Sequence, residues 1–484
     1  MTNKSRSHWL ILVILALAQF MVVLDSSVVN VALPAIQHAF GITESSLQWI
    51  VTAYTLAFGG FLLLGGRAAD LYGRKRIFLI GVTMFGISSL LAALAQNGSM
   101  LIVLRAVQGL SAAFMSPAAL SIVLITYREG HERNAALAVW GAVASGGAAA
   151  GVLLGGVLTE YLNWRWNFFI NIPVAIAVVV AAVKLLPAHE AEERHNDLDL
   201  FGAISVTSAT LLLVYALTEA PSHGWTSPSS LIYFAISAML LVAFVVNEQR
   251  TRRPLIPLSI FKIRNLTGAN LTVFPVIAAM FSTFFFGSLY IQQVLGYSAV
   301  KTGLSFLVVP LTIAITATNI PRVIKRYGYK PTLVAGPILI AVSLFLWAHI
   351  PVEGSYVRNL LPAFILLGVG AGMSFVSSTI AATSGVPARQ SGLASGLLNT
   401  AQQVGGSLGL AILSGVAASH AASAARQAYT IPTDKIAAYA TVQGFHAAFY
   451  VGMGFAIAAA LVAFFVVKET KRDVNVDAVA PIAH

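Results

Sequence analysis

Two charged residues stand inside runs that are otherwise apolar: Asp25 within 9–33 and Arg105 within 100–126. A charge in hydrocarbon is costly, so such residues face a cavity or a partner and mark ion or proton paths. Asp25 is the acid centred in an apolar run, which makes it the candidate proton or cation site. It lies roughly 24 Å up its helix from Trp9, and Arg105 roughly 8 Å below the far end of its own. In a core of about 30 Å the two reach similar heights and can meet. Two readings stay open. Arg105 tunes the acid's hold on a proton, or the two form a fixed ion pair that only joins helices.

Other polar residues gather at helical spacing. Arg105 shares a face with Gln108, Gly109, Ala112 and Ser116, a polar, small-residue stripe on an oily helix. Asn399, Gln402, Gln403 and Gly406 form a second stripe, suited to a cavity wall or to interhelical hydrogen bonds. With Asn30, Tyr54, Gln108 and Gln292 they are the candidate lining of a substrate cavity, beside the phenylalanine-rich stretch 281–286. Gly147, Gly151 and Gly155, with Gly156 adjoining, make a ridge over which another helix can come very close. Gly66, Asp70, Gly73, Arg74 and Lys75 sit at a junction between two apolar runs, an acid among basic residues.

The elements that must hold these residues follow from composition. Charged residues are 10% of the chain, apolar residues are 57%, and the mean hydropathy is +0.81. A soluble chain of 484 residues could not cover its surface with so few charges. Runs of about 20 apolar residues suit a bilayer core, and they recur along the chain. They predict fourteen spans, at 9–33, 47–66, 77–96, 100–126, 135–159, 167–186, 200–219, 230–247, 267–294, 302–321, 332–350, 359–384, 392–418 and 442–467.

Most of the 29 Lys and Arg residues fall in alternate loops, which predicts both termini in the cytoplasm and the long 419–441 loop outside. The net charge of +11 is therefore topological, and no nucleic-acid partner is expected. The chain has no cysteine, hence no disulfide or thiolate chemistry. It also has no Walker-type loop, so neither an enzyme nor a cofactor is expected.

The turns Tyr72–Gly73–Arg74 and Tyr327–Gly328–Tyr329 follow spans 2 and 10, an internal repeat that suggests two related bundles. The expected division is a first six-helix bundle over 1–188 and an insert with two extra helices over 189–265. A second six-helix bundle covers 266–470, and a cytoplasmic tail covers 471–484. The acidic stretch from His189 to Asp199 reads as solvated linker.

Five stretches in this order resemble the fourteen-helix drug:proton antiporter group of the major facilitator superfamily. They are Leu24 to Pro34; Gly66 with Asp70, Gly73, Arg74 and Lys75; and Arg105 with Gln108, Gly109, Ala112 and Ala113. The other two are Gly147, Gly151, Gly155 and Gly156, followed by Trp164 to Pro173, and Leu397 to Gly406. The pattern departs at Val152, where the group has proline, and at Ala68 and Leu71, where it has leucine and arginine. The resemblance implies an all-α membrane protein of two six-helix bundles plus two helices, working in the inner membrane as a monomer. It implies export of small hydrophobic or cationic compounds in exchange for protons, with Asp25 and Arg105 in coupling and Asp70 in a cytoplasmic gate. The alternative is a lipid translocator or a transporter of another solute in the same superfamily. A solute importer would carry intramembrane polar side chains in both bundles, and the second bundle has no charge within a span.

Overall fold

Apolar segments in lipid have no water to bond, so their backbones satisfy themselves by coiling. The computed structural model describes residues 3–127, 131–186, 199–252, 254–387, 390–427 and 435–469, and among them the regular structure is helical throughout. Among the described residues, fourteen helices are long and apolar enough to cross a membrane.

The first group comprises α1 (Asn3–Phe40), α2 (Glu44–Tyr72), α3 (Arg74–Ala93), α4 (Gly98–Thr126), α5 (His131–Tyr161), the short α6 (Trp166–Phe169) and α7 (Asn171–Leu185). Two further helices follow, α8 (Leu200–His223) and α9 (Pro228–Arg250). The second group comprises α10 (Arg264–Leu289), the short α11 (Ala299–Phe306), α12 (Val308–Tyr327), α13 (Tyr329–Trp347), α14 (Leu361–Thr383), α15 (Ser391–Gln427) and α16 (Ile436–Phe465). Within the first group α2 packs on α4 and α1 on α5; within the second α10 packs on α15 and α13 on α14.

The two repeated turns share one backbone device. Gly73 closes α2 at φ +94° and Gly328 closes α12 at φ +85°, a region that a β-carbon disfavours. The face bearing these turns is called the near face below, and the opposite one the far face.

At the far face the two groups interlock. An added β-carbon on Gly156 of α5 would lie 2.6 Å from the Ala299 carbonyl of α11, and one on Gly303 would lie 2.2 Å from the Val152 carbonyl. The Val300 N–H, at the start of α11, donates to the Glu160 carboxylate at 2.7 Å. Ser288 Oγ donates to the Asn30 carbonyl at 2.7 Å, and Gln292 Nε2 to that of Val31 at 2.9 Å, joining α10 and the turn that follows it to α1. Toward the near face α5 and α12 instead present exposed positions. Gly141 and Gly146 would meet nothing within 4 Å, and Thr318 and Asn319 are exposed.

The other seam is covered. Helix α8 lies against both α2 and α15, where Leu56, Val214 and Ala411 form one apolar cluster. Gln48 Nε2 reaches Thr218 Oγ1 at 3.4 Å, and Thr55 Oγ bonds Ser407 Oγ at 2.6 Å.

Several helix ends, and one expected linker residue, differ from the sequence expectation. Helix α1 runs past residue 33 to Phe40, and α15 past 418 to Gln427. The second case removes much of the expected 419–441 loop, because the segment beyond 418 is rich in alanine, the strongest helix former. Asp199 is not solvated linker: its carboxylate caps α8 by accepting the Gly202 N–H at 2.7 Å. The remainder of that acidic stretch, and the expected tail at 471–484, lie outside the described residues.

Candidate functional site

Asp25 reaches its partners because glycines bring the surrounding backbones together. On α5, β-carbons added to Gly151 and Gly155 would lie 2.6 Å from Ser27 Cβ and 2.8 Å from the Val28 carbonyl of α1. On α4, one added to Gly109 would lie 2.1 Å from the Tyr54 carbonyl of α2; one on Gly65 of α2 would lie equally close to the Ala113 carbonyl. Helices that nearly touch let short side chains bridge them.

The bridge is a buried polar cluster. Arg105 Nη1 donates to Asp25 Oδ2 at 2.5 Å, with the two side chains 1% and 0% exposed. The same nitrogen reaches Gln108 Oε1 at 3.0 Å, and Arg105 Nε donates to the Ile50 carbonyl at 3.0 Å. Two rings enclose the guanidinium, with its carbon 4.3 Å from the centre of Tyr54 and 5.9 Å from that of Phe168. Asp25 Oδ1 accepts from Asn171 Nδ2 at 2.8 Å and from Gln108 Nε2 at 3.3 Å. Ser89 Oγ completes the cluster, 2.8 Å from Gln108 Nε2 and 3.5 Å from Asn171 Nδ2. These groups face Asp25 as donors, so its negative charge is matched on both oxygens.

The sequence brought Asp25, Arg105 and Gln108 forward; it passed over Asn171 and Ser89. Asn171 opens α7 after the short α6, and that break in the helix carries its amide to Asp25. The Trp164–Pro173 signature was the available signal. Tyr54 and Gln108, expected in a cavity wall, are instead covered inside this cluster, with the Tyr54 hydroxyl 3.5 Å from the Val22 carbonyl.

The other expected cavity residues are dispersed. Asn30 donates to the Ser26 carbonyl of its own helix, and Gln292 sits in the far-face clasp. Asn399 is exposed, whereas Gln402 and Gln403 are half-buried, and Gln403 packs where α15 crosses Gly59 of α2. Gly147 packs against Phe20 and Val23 of α1.

At the near face, Arg74 Nη2 lies 3.2 Å from Asp70 Oδ1, an ion pair across one helical junction. Lys75 does something different: its ammonium donates to the Val183 carbonyl at 3.0 Å and to that of Leu186 at 2.5 Å, capping the end of α7. Gly66 has room, since an added β-carbon would meet Pro117 Cβ only at 3.7 Å.

The sequence profile described as Major Facilitator Superfamily matches residues 15–410. The puromycin resistance protein pur8 of Streptomyces alboniger is 40% identical over 455 residues, covering 93% of this chain and 89% of that one. The cephamycin export protein CmcT of Amycolatopsis lactamdurans is 37% identical over 416 residues, 85% of each chain. Among solved structures, the POT family transporter PepTSo superposes with a TM-score of 0.71 at 15% identity, covering 95% of this chain and 97% of that one. At that identity the likeness concerns the fold.

Proposed function

The chain belongs to the Major Facilitator Superfamily, and we propose that it is a proton-coupled antiporter exporting small hydrophobic or cationic compounds across the cytoplasmic membrane. The relatives' names concern resistance to, or export of, antibiotics, which supports the substrate class. The observation that carries proton coupling is the buried Asp25–Arg105 pair inside a membrane-spanning bundle. The near face is then cytoplasmic, as the Lys and Arg distribution supports.

In this reading residues 1–188 and 266–470 rock against each other around a central cavity, and 189–265 rides along the α2–α15 seam. The far-face clasp of α5 with α11 and α1 with α10 holds the exit shut while α5 and α12 present exposed positions toward the cytoplasm. Asp25 in this state accepts hydrogen bonds on both oxygens, and in this reading proton uptake accompanies a rearrangement of the cluster. That links protonation to conformation. Arg105, released from the carboxylate, keeps the Ile50 carbonyl and the Tyr54 ring as partners, which lowers the cost of the exchange. Asp70 and Arg74 act as a gate at the cytoplasmic junction, and Asn399, Gln402 and Gln403 offer polar contacts to substrate beside the α2–α15 seam.

The test is transport by purified protein in proteoliposomes with an imposed pH gradient. Accumulation of a lipophilic antibiotic against its own gradient, collapsed by a protonophore, is expected. Accumulation indifferent to the protonophore would exclude proton coupling.

A further inference from the structure

A pair of carboxyl groups lies far from Asp25, at the near-face end of the two extra helices. Glu248, in the last turn of α9, is 3% exposed. Its Oε2 accepts the Ile256 N–H at 2.8 Å, and among the described residues no donor reaches its Oε1. That oxygen points at Asp199. A β-carbon added to Gly202 would lie 2.8 Å from Glu248 Oε1 and 2.5 Å from Asp199 Oδ2, so both oxygens converge on one spot beside α8. Among the described residues, Asp199 is the charged side chain that faces Glu248, and the two carboxyls are within hydrogen-bonding reach.

Their remaining partners distinguish them. Asp199 accepts three hydrogen bonds: the Gly202 N–H at 2.7 Å and Asn247 Nδ2 at 3.0 Å on Oδ1 and 2.7 Å on Oδ2. It is furnished as the carboxylate. Glu248 accepts from the backbone N–H groups of Ile256 and Leu255 and keeps one oxygen with no donor among the described residues, and two ionised carboxylates in contact repel strongly away from water. We propose that Glu248 holds a proton on Oε1 and donates it to Asp199 Oδ2, forming a proton-binding clasp between the ends of α8 and α9. The proton supplies the donor that the bare oxygen lacks, and on ionisation it passes to water at the near face.

The clasp has reach. Through Ile256 it holds the segment that leads from α9 to α10, and through Asp199 it caps the helix that covers the α2–α15 seam. Losing the proton therefore loosens the hairpin from the second group of helices. This site is independent of the proposed transport reaction: it binds a proton whether or not Asp25 does.

The sign follows from linkage. A folded state that binds a proton the unfolded chain has released loses stability as pH rises. The experiment compares thermal unfolding of purified wild type and Glu248→Gln between about pH 5 and about pH 9, a range above ordinary carboxyl titration. The glutamine amide donates to Asp199 at every pH while its oxygen keeps the Ile256 N–H. The wild-type midpoint is expected to fall relative to the variant by about 2 °C or more across that range, and the variant to match it at the acid end. Parallel curves for the two proteins would overturn the proposal. So would a Glu248→Gln protein that fails to fold, because a neutral isostere is what the clasp calls for.

Discussion

The guanidinium of Arg105 on α4 and the carboxylate of Asp25 on α1 meet at 2.5 Å, eighty positions apart in sequence and both sealed from solvent. A pair so placed is held by mutual need more than by net gain. Desolvating two charges is costly, and breaking one side leaves the other stranded. Arg105→Met should therefore destabilise the protein by about 3–5 kcal/mol, and adding Asp25→Asn should recover a large part of that loss. Thermal unfolding of the two single variants and the double variant in detergent measures the coupling. Additive losses would mean that the residues do not stabilise each other.

Asn171 holds Asp25 Oδ1 at 2.8 Å, whereas Gln108 is more distant at 3.3 Å. Asn171→Leu removes the nearer donor and leaves a buried acceptor poorly satisfied, at about 1–3 kcal/mol. The same unfolding assay reads it. A wild-type midpoint would show that Gln108 and Arg105 alone suffice.

The Asp25–Arg105 meeting was legible because charges in oily runs are rare and their depths along two helices can be compared. Asn171 was not, since an asparagine near a helix start is unremarkable until the α6–α7 break is seen to aim it. Tyr54 and Gln108 were assigned the right helices but the wrong surroundings. A helical stripe shows which residues share a face and leaves open which neighbour covers it. Glu248 and Asp199 were invisible for a related reason: an acid at the end of a span and another at the end of an acidic stretch both look solvated. The fourteen spans and the repeated Tyr-Gly turn were plain, because hydropathy and a positive-φ glycine are local properties.

The close approach of α2 and α4 makes a graded prediction. Gly109→Ala places a methyl group 2.1 Å from a backbone carbonyl that cannot yield without moving α2, and should cost about 1–3 kcal/mol. Gly66→Ala, whose methyl group would meet Pro117 Cβ at an ordinary contact distance of 3.7 Å, should stay within about 0.5 kcal/mol. Unfolding midpoints of both variants decide, and equal losses would show that the two helices adjust freely.

Orientation is testable in a chain without cysteine. Tyr161 at the far face is 73% exposed and Tyr327 at the near face is 59% exposed. A membrane-impermeant thiol reagent should label Tyr161→Cys in intact cells, and Tyr327→Cys only after permeabilisation. The reverse pattern would invert the proposed topology.

The most direct measurement concerns protons moved by substrate. Wild type and Asp25→Asn are each reconstituted in vesicles enclosing a pH-sensitive dye, and substrate is added outside with no pH gradient imposed. For the wild type, substrate entry should drive protons out and make the lumen alkaline, at a rate that rises with substrate and saturates. Asp25→Asn should still bind a neutral substrate yet lose at least about tenfold in that proton flux, as expected if the intramembrane carboxylate carries the coupling. Undiminished substrate-driven proton movement in the variant would contradict the central role given to Asp25.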